Sequence, residues 1–327
     1  MKSTVTANAN IALIKYWGKK DFDLNIPQNN SLSVTLDGLT TKTTVEFSSL
    51  YKHDELILNN ILQSIEESKK LISFLNLIRE KANINLFAKV ISENNFPTAA
   101  GLASSSSGFA ALALAGCDAA GLNLSKKELS ILARKGSGSA ARSIFGGFVE
   151  WAAGKIGYDE SSYAMQLYDE NYWPEFRVIV LVLEEGKKEV SSRSGMQSSV
   201  FTSPMYKSWL DTVNLDLISL KRALLEKDFT RIGSIAESNC LKMHSTMLTS
   251  NPPLIYWNAN TLELVKYILE LRKNGLEIYF TIDAGPQIKI LCLEKDVLNL
   301  KKKLNSFDFI NKIIDCSSGS GAFILNE

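Results

Sequence analysis

Apolar and polar side chains alternate through Ser31-Leu-Ser-Val-Thr-Leu36 and again through Thr41-Lys-Thr-Thr-Val-Glu-Phe47, the period of half-buried strands. Asp37-Gly38 between them predicts a turn, and residues 3 to 48 as a whole read as strands. Ile61, Ile65, Ile72, Leu75, Ile78 and Ala82 recur at helical spacing and predict one buried helix face. Asn85 to Ser92 reads as a strand and Phe109 to Ala120 as an Ala-rich helix. Ser125 to Lys135 predicts a short helix, with Ser125 as N-cap and Glu128 completing a capping box. Gly146 to Trp151 should return to the sheet, residues 153–175 look like a surface excursion, and Arg177 to Leu183 is an apolar strand. From about residue 186 helical periodicity dominates, in tracts around 204–225, 228–248 and 260–273, with Pro252-Pro253 separating the last two. Two strands flank Asp283-Ala-Gly-Pro286, and a helix over 295–305 with one or two closing strands ends the chain. Strands early and helices later predict a two-layer α+β fold. We expect two subdomains, 1–185 and 186–327, sharing one core with a cleft between them.

Composition narrows the function. Lys+Arg number 36 and Asp+Glu 35, so no global field favours nucleic acid or an anionic membrane, and an anionic ligand needs a local cluster of cations. The N-terminus has no apolar signal segment, and no run reaches about 18 apolar residues, so no membrane partner is expected. Cys117, Cys240, Cys292 and Cys316 are widely spaced and mostly in apolar surroundings, which predicts reduced thiols and a cytoplasmic protein. With only His53 and His244, a histidine-rich metal site is excluded by count.

Between the strand at 85–92 and the helix from 109 lies Pro97-Thr-Ala-Ala-Gly-Leu-Ala-Ser-Ser-Ser-Ser-Gly108. A helix start carries unpaired N–H groups and the positive end of the helix dipole, and small residues let an anion approach that backbone. The serine hydroxyls can cap the helix, donate to phosphate oxygens or help hold Mg²⁺, for which Ser105 is the candidate. The same pattern also fits a plain serine N-cap on a buried helix. Ser92 and Asn94 precede the loop and are candidate nucleotide contacts. No G-x-x-x-x-G-K-[ST] run is present, so this is not a Walker loop. Asn10-Ile-Ala-Leu-Ile-Lys-Tyr-Trp-Gly-Lys19 places Lys15 and Lys19 in an apolar, aromatic run. They are either solvated lysines of a strand bending at Gly18, or buried cations that need an anion.

The loop resembles the phosphate-binding motif of the GHMP kinases, P-x-x-x-G-L-x-S-S. The decapeptide resembles the N-terminal signature of the mevalonate diphosphate decarboxylases, A-x-I-K-Y-W-G-K. The resemblance continues, in that family's order, through Asn29 to Ser33, Gly136-Ser-Gly-Ser-Ala-Ala-Arg142, Lys188 to Met196, Met243 to Thr246 and Asp283 to Pro286. It implies a GHMP kinase-like fold with a ferredoxin-like C-terminal subdomain, a homodimer, and binding of ATP, Mg²⁺ and mevalonate 5-diphosphate. The implied reaction phosphorylates the tertiary hydroxyl of the substrate, loses phosphate and carbon dioxide, and forms isopentenyl diphosphate. Asp283, Lys19 and Arg142 are then the candidate catalytic residues. Tyr16, Trp17, Gly18, Ser137, Gly138, Ser139, Ala140, Ala141, Ser192 and Arg193 are expected to join Lys19 and Arg142 in binding the substrate. Gly101, Leu102, Ala103, Ser104, Ser105, Ser106 and Ser107 are expected to join Ser92 and Asn94 in binding the nucleotide. Arg142 offers a planar fork for the substrate carboxylate and is expected to keep Asp283 ionised. A phosphomevalonate decarboxylase, a mevalonate kinase of the same fold and a non-catalytic ligand sensor are the alternatives.

Overall fold

The chain opens with β1 (Lys2–Ile14), a hairpin of β2 (Lys19–Asp21) and β3 (Ile26–Pro27), and a long β4 (Ser31–Ser48). β5 (Glu55–Leu58) and β6 (Ile61–Leu62) lead into α1 (Ile65–Ala82) and β7 (Phe87–Asn94). α2 (Ser104–Ala119), α3 (Lys126–Gly136) and the one-turn α4 (Ala140–Ser143) precede β8 (Phe148–Trp151) and β9 (Ala164–Tyr168). β10 (Phe176–Val182) is followed by α5 (Ser192–Thr202), α6 (Tyr206–Glu226), α7 (Phe229–Leu248) and α8 (Ala259–Lys273). β11 (Tyr279–Ile282), β12 (Ile288–Leu293), α9 (Glu294–Leu304), β13 (Lys312–Cys316) and β14 (Phe323–Ile324) complete the chain. This computed structural model describes residues 1–96, 104–184, 186 and 189–325.

Among the described residues two main sheets form. The first runs β14-β1-β4-β7-β5-β6, with β8 on the first half of β4 and β9 on β8. The second is antiparallel, in the order β11-β12-β10-β13. Its β-α-β-β-α-β succession and strand order are those of a ferredoxin-like unit. β10 alternates strictly. Val178 and Val180 face a core shared with Ile11 and Leu13 of β1, Leu32 and Val34 of β4, and α6 and α7. Ile179 and Leu181 face α8 and α9. One continuous core therefore joins the two halves, and α1 and α2 cover the first sheet in a separate core.

The α+β architecture, the capped α3 and the later helices agree with expectation. The Ser125 side chain accepts from the Glu128 N–H, and the Glu128 carboxylate reaches back to the N-cap. Asp37-Gly38 does not make a hairpin turn. β4 runs through it as one strand, with Gly38 at φ +90°. Its register against β1 jumps from Asn8↔Thr40 to Asn10↔Thr35. The extra β4 residues bulge toward the C-terminal segment, where the Asp37 N–H donates to the Ser317 carbonyl at 3.0 Å. The bulge passes β4 from β7 to β8 as its second partner. Ile61 lies in β6 rather than on the helix, because Ser64 caps α1, and the buried face of that helix is Phe74, Leu75 and Ile78. The surface excursion contains β9, whose Ala164 is buried against Trp151. β10 lies before residue 186 yet belongs to the second sheet.

Candidate functional site

Asp283 follows the last residue of β11, and Lys15 follows the last residue of β1. The two strand ends meet at the floor of a cleft of about 750 Å³. Lys15 Nζ donates to Asp283 Oδ1 at 2.6 Å, and Lys289 Nζ, from β12, lies 3.4 Å from Oδ2. Both lysines are 1% exposed. Burial pushes the Asp283 carboxyl up, but Lys15 and Lys289 outweigh it and hold the group well below the usual carboxylate range. Asp283 is thus an anion fixed between two ammonium groups. Arg142 makes no direct contact with this carboxylate and acts on it only through its charge: its guanidinium is anchored on Asn10 Oδ1 at 3.0 Å and on Ser31 Oγ. Arg142 is buried and lies 5.8 Å from the Trp151 ring. Burial lowers it to about 10, which leaves it cationic at neutral pH.

The wall beside this floor is cationic. After β1 the chain turns at Gly18, with φ +99°, where a Cβ would sit 1.9 Å from the Tyr206 hydroxyl oxygen. That hydroxyl donates to the Trp17 carbonyl at 2.8 Å, so the turn is closed by a buried tyrosine. The turn aims Lys19 into the cleft, where its Nζ bonds Asn25 Oδ1. Burial, then Arg193 and Lys70, lower Lys19 to about 8. Cations gathered so closely that they depress one another mark a place for an anion. Tyr16 and Gly138 pack tightly across the same wall: a Cβ on Gly138 would approach the Tyr16 hydroxyl to 3.0 Å. The buried Tyr16 hydroxyl has no hydrogen-bond partner among the described residues and lines the cleft. Ser137 and Ser139 line it as well, whereas Ala140 and Ala141 turn into the packed interior. Ser192 and Arg193 begin α5 at the rim, with Arg193 donating to the Phe22 carbonyl at 3.3 Å.

The opposite end of the cleft is the start of α2. Ser104 and Ser105 line it, together with Ser92 and Asn94 of β7. The Ser105 and Ser137 hydroxyls are 3.2 Å apart, so the two expected binding sets meet there. Ser106 and Ser107 do not join them. Both are fully buried, and Ser107 bonds the Thr41 hydroxyl at 2.6 Å across to β4. A helix presents only one side to a ligand, so four successive serines cannot all face the cleft. Residues 97 to 103, including Gly101, Leu102 and Ala103, and Lys188 lie outside the described residues. Lys15 takes the second of its two expected readings, a buried cation with an anion, Asp283, while Lys289 and Lys70 complete the charge pattern without having been among the expected residues. Lys289 carries a visible signal, a lone charge in the apolar strand Ile288 to Leu293. Lys70 carries none, because it stands in the charged run Glu66-Glu67-Ser68-Lys69-Lys70.

Two family models match the chain, a diphosphomevalonate decarboxylase-like N-terminal domain over residues 7–164 and a mevalonate 5-diphosphate decarboxylase C-terminal domain over residues 178–320. The chain belongs to the diphosphomevalonate decarboxylase family. The diphosphomevalonate decarboxylase of Candida albicans is 38% identical over 301 residues, covering 88% of this chain and 83% of the relative. A structure of MDDEF with MVAPP, AMPPCP and magnesium superposes with a TM-score of 0.94 at 45% identity, covering 100% of this chain and 99% of that one. Mevalonate diphosphate decarboxylase from Staphylococcus aureus gives a TM-score of 0.94 at 43% identity, over 99% and 98%.

Proposed function

We propose that this decarboxylase-family chain converts mevalonate 5-diphosphate and ATP to isopentenyl diphosphate, ADP, phosphate and carbon dioxide. The observation that carries the reading is Asp283, ionised between Lys15 and Lys289 on the floor of a cleft with cationic walls. A substrate with a diphosphate at one end and a carboxylate and tertiary hydroxyl at the other matches that charge layout. Lys19, Arg193, Tyr16, Ser139 and Ser192 bind the diphosphate. Arg142 holds the carboxylate with its fork. The Asp283 carboxylate accepts the hydrogen bond of the tertiary hydroxyl and so orients its oxygen. Held so far below its usual range, Asp283 is a weak base, and its larger contribution is negative charge beside the carbon that becomes electron-poor. Lys15 and Lys289 fix that charge in place.

ATP and Mg²⁺ are the cofactors, and the start of α2 fits them. Its first-turn hydroxyls and backbone N–H groups are donors for phosphate, and Ser105 offers the hard oxygen that Mg²⁺ favours. Bound Mg²⁺ neutralises phosphate charge. Among the described residues no helix is long and apolar enough to cross a membrane. Four free, buried cysteines suit a reducing compartment, which supports a cytoplasmic site of action. The sheet membership of β10 supports a subdomain boundary between β9 and β10, ahead of residue 186. A homodimer is proposed, to be measured by sedimentation velocity.

The test is turnover of ATP with mevalonate, mevalonate 5-phosphate and mevalonate 5-diphosphate, following carbon dioxide and ADP together. Equal release of both from the diphosphate is expected. ADP without carbon dioxide would make the chain a kinase, and preference for the monophosphate would overturn the diphosphate pocket.

A further inference from the structure

Both partners of the Lys15–Asp283 pair are held from behind by the same helix. The Lys15 N–H donates to Asn239 Oδ1 at 2.8 Å. Asn239 in turn donates to Asp216 of α6 at 2.8 Å, and Lys242 bonds both oxygens of that carboxylate. One residue along α7, Cys240 accepts the Ile282 N–H at 3.1 Å and donates to the Ile282 carbonyl at 3.3 Å. His244 Nε2 lies 3.2 Å from the same carbonyl. Ile282 immediately precedes Asp283 and ends β11, the outer strand of the second sheet. Burial lowers His244 to about 3, so the ring is neutral, and a carbonyl partner requires the proton on Nε2. Burial pushes the Cys240 thiol up, so it keeps its proton and can donate.

We propose that α7 is the gauge between the two reactive strand ends, with Asn239, Cys240 and His244 as positioning residues for Lys15 and Asp283. A buried strand edge needs partners for its N–H and C=O groups, and many side chains would satisfy that need. Here the groups that satisfy it sit within two turns of one helix that also grips β1. The helix backbone is stiff, so the spacing of Asn239, Cys240 and His244 sets how far the ammonium of one strand stands from the carboxylate of the other. This accounts for the Met243-His-Ser-Thr246 block, whose histidine does not line the cleft and whose ring lies 4.5 Å from that of Trp257 at a tilt of 43°.

The inference rests on the decarboxylase reading, and the experiment separates the two. Wild type, His244→Leu, His244→Gln and Cys240→Ala are compared for kcat, for KM of ATP and of mevalonate 5-diphosphate, and for melting temperature. His244→Leu and Cys240→Ala, folded at the assay temperature, should lose about tenfold or more in kcat with both KM values within about threefold, the signature of misplaced reactive groups. His244→Gln keeps an N–H near the Nε2 position and should recover most of kcat. Wild-type kcat in folded His244→Leu and Cys240→Ala, or equal loss in the Gln and Leu variants, overturns the gauge. If His244→Leu does not fold, Cys240→Ala decides by the same criterion. Absence of wild-type turnover would instead overturn the decarboxylase reading.

Discussion

Asp283 shows how one side chain combines stability and chemistry. Its carboxylate offsets two buried ammonium groups, so Asp283→Asn removes the charge that Lys15 and Lys289 face. Breaking a buried pair costs about 3–5 kcal/mol, and the 28% exposure of Asp283 places this case at the low end. The variant should melt lower yet fold, and kcat should fall by about 10²-fold or more with little change in KM. Single-turnover release of carbon dioxide and ADP measures it, and near-normal carbon dioxide release would remove Asp283 from the mechanism. Arg193→Ala tests the far end of the substrate. It should raise the KM for mevalonate 5-diphosphate by the worth of a charged hydrogen bond, about 1.5–3 kcal/mol, and leave the KM for ATP unchanged. Asp283 and Arg193 were legible in the sequence because each sits in a distinctive run. The charges that surround Asp283 were not, because pairing across β1, β11 and β12 is a tertiary fact. An ionised aspartate pointed to a cation, but spacing along the chain could not choose Lys15 and Lys289 over Arg142.

Elements were legible where one period governs and illegible where a neighbour decides. The helices after residue 200 and the capped α3 follow from local pattern. β4 does not: an Asp-Gly pair is a turn signal, and here the C-terminal segment takes its backbone bonds and keeps the strand whole. α5 was missed because its polar sequence, Ser192 to Thr202, has no apolar stripe, and its helicity rests on the Ser191 cap and on packing of Met196 and Ser199. α2 shows how an element divides a run of like residues. Ser105→Ala should raise the KM for ATP and leave the melting temperature unchanged. Ser107→Ala removes one of the two hydrogen bonds of the Thr41 hydroxyl, which still donates to Asn94 Oδ1, and should cost about 1 kcal/mol of stability with the KM for ATP intact. Nucleotide titrations and thermal melts on the two variants separate the faces, and a reversed assignment would show that α2 presents its other side to the phosphates.

At the scale of the molecule, near-equal numbers of acids and bases leave almost no net field, so anion affinity depends on where the fold concentrates its cations. Lys15, Lys19, Arg142 and Arg193 come from three separate stretches and meet only when the two halves of the chain close one core. Their crowding has a measurable consequence in Lys19. Its ordinary value of 10.5 falls to about 8 in the folded chain, first through burial and then through Arg193 and Lys70. Between those values the unfolded chain binds the extra proton, so this lysine's contribution to stability rises with pH across that window. Binding runs the other way, because a diphosphate favours the charged ammonium and pulls its pKa back up. Affinity for mevalonate 5-diphosphate should therefore decline as pH rises through about 8. Near that pH, binding should take up a fraction of a proton. Calorimetry in buffers of different ionisation enthalpy counts that proton directly. Lys19→Arg keeps the charge at all these pH values, so it should abolish the uptake and flatten the affinity profile. Equal proton uptake in the wild type and Lys19→Arg would assign the titration to another group and remove Lys19 from the diphosphate pocket.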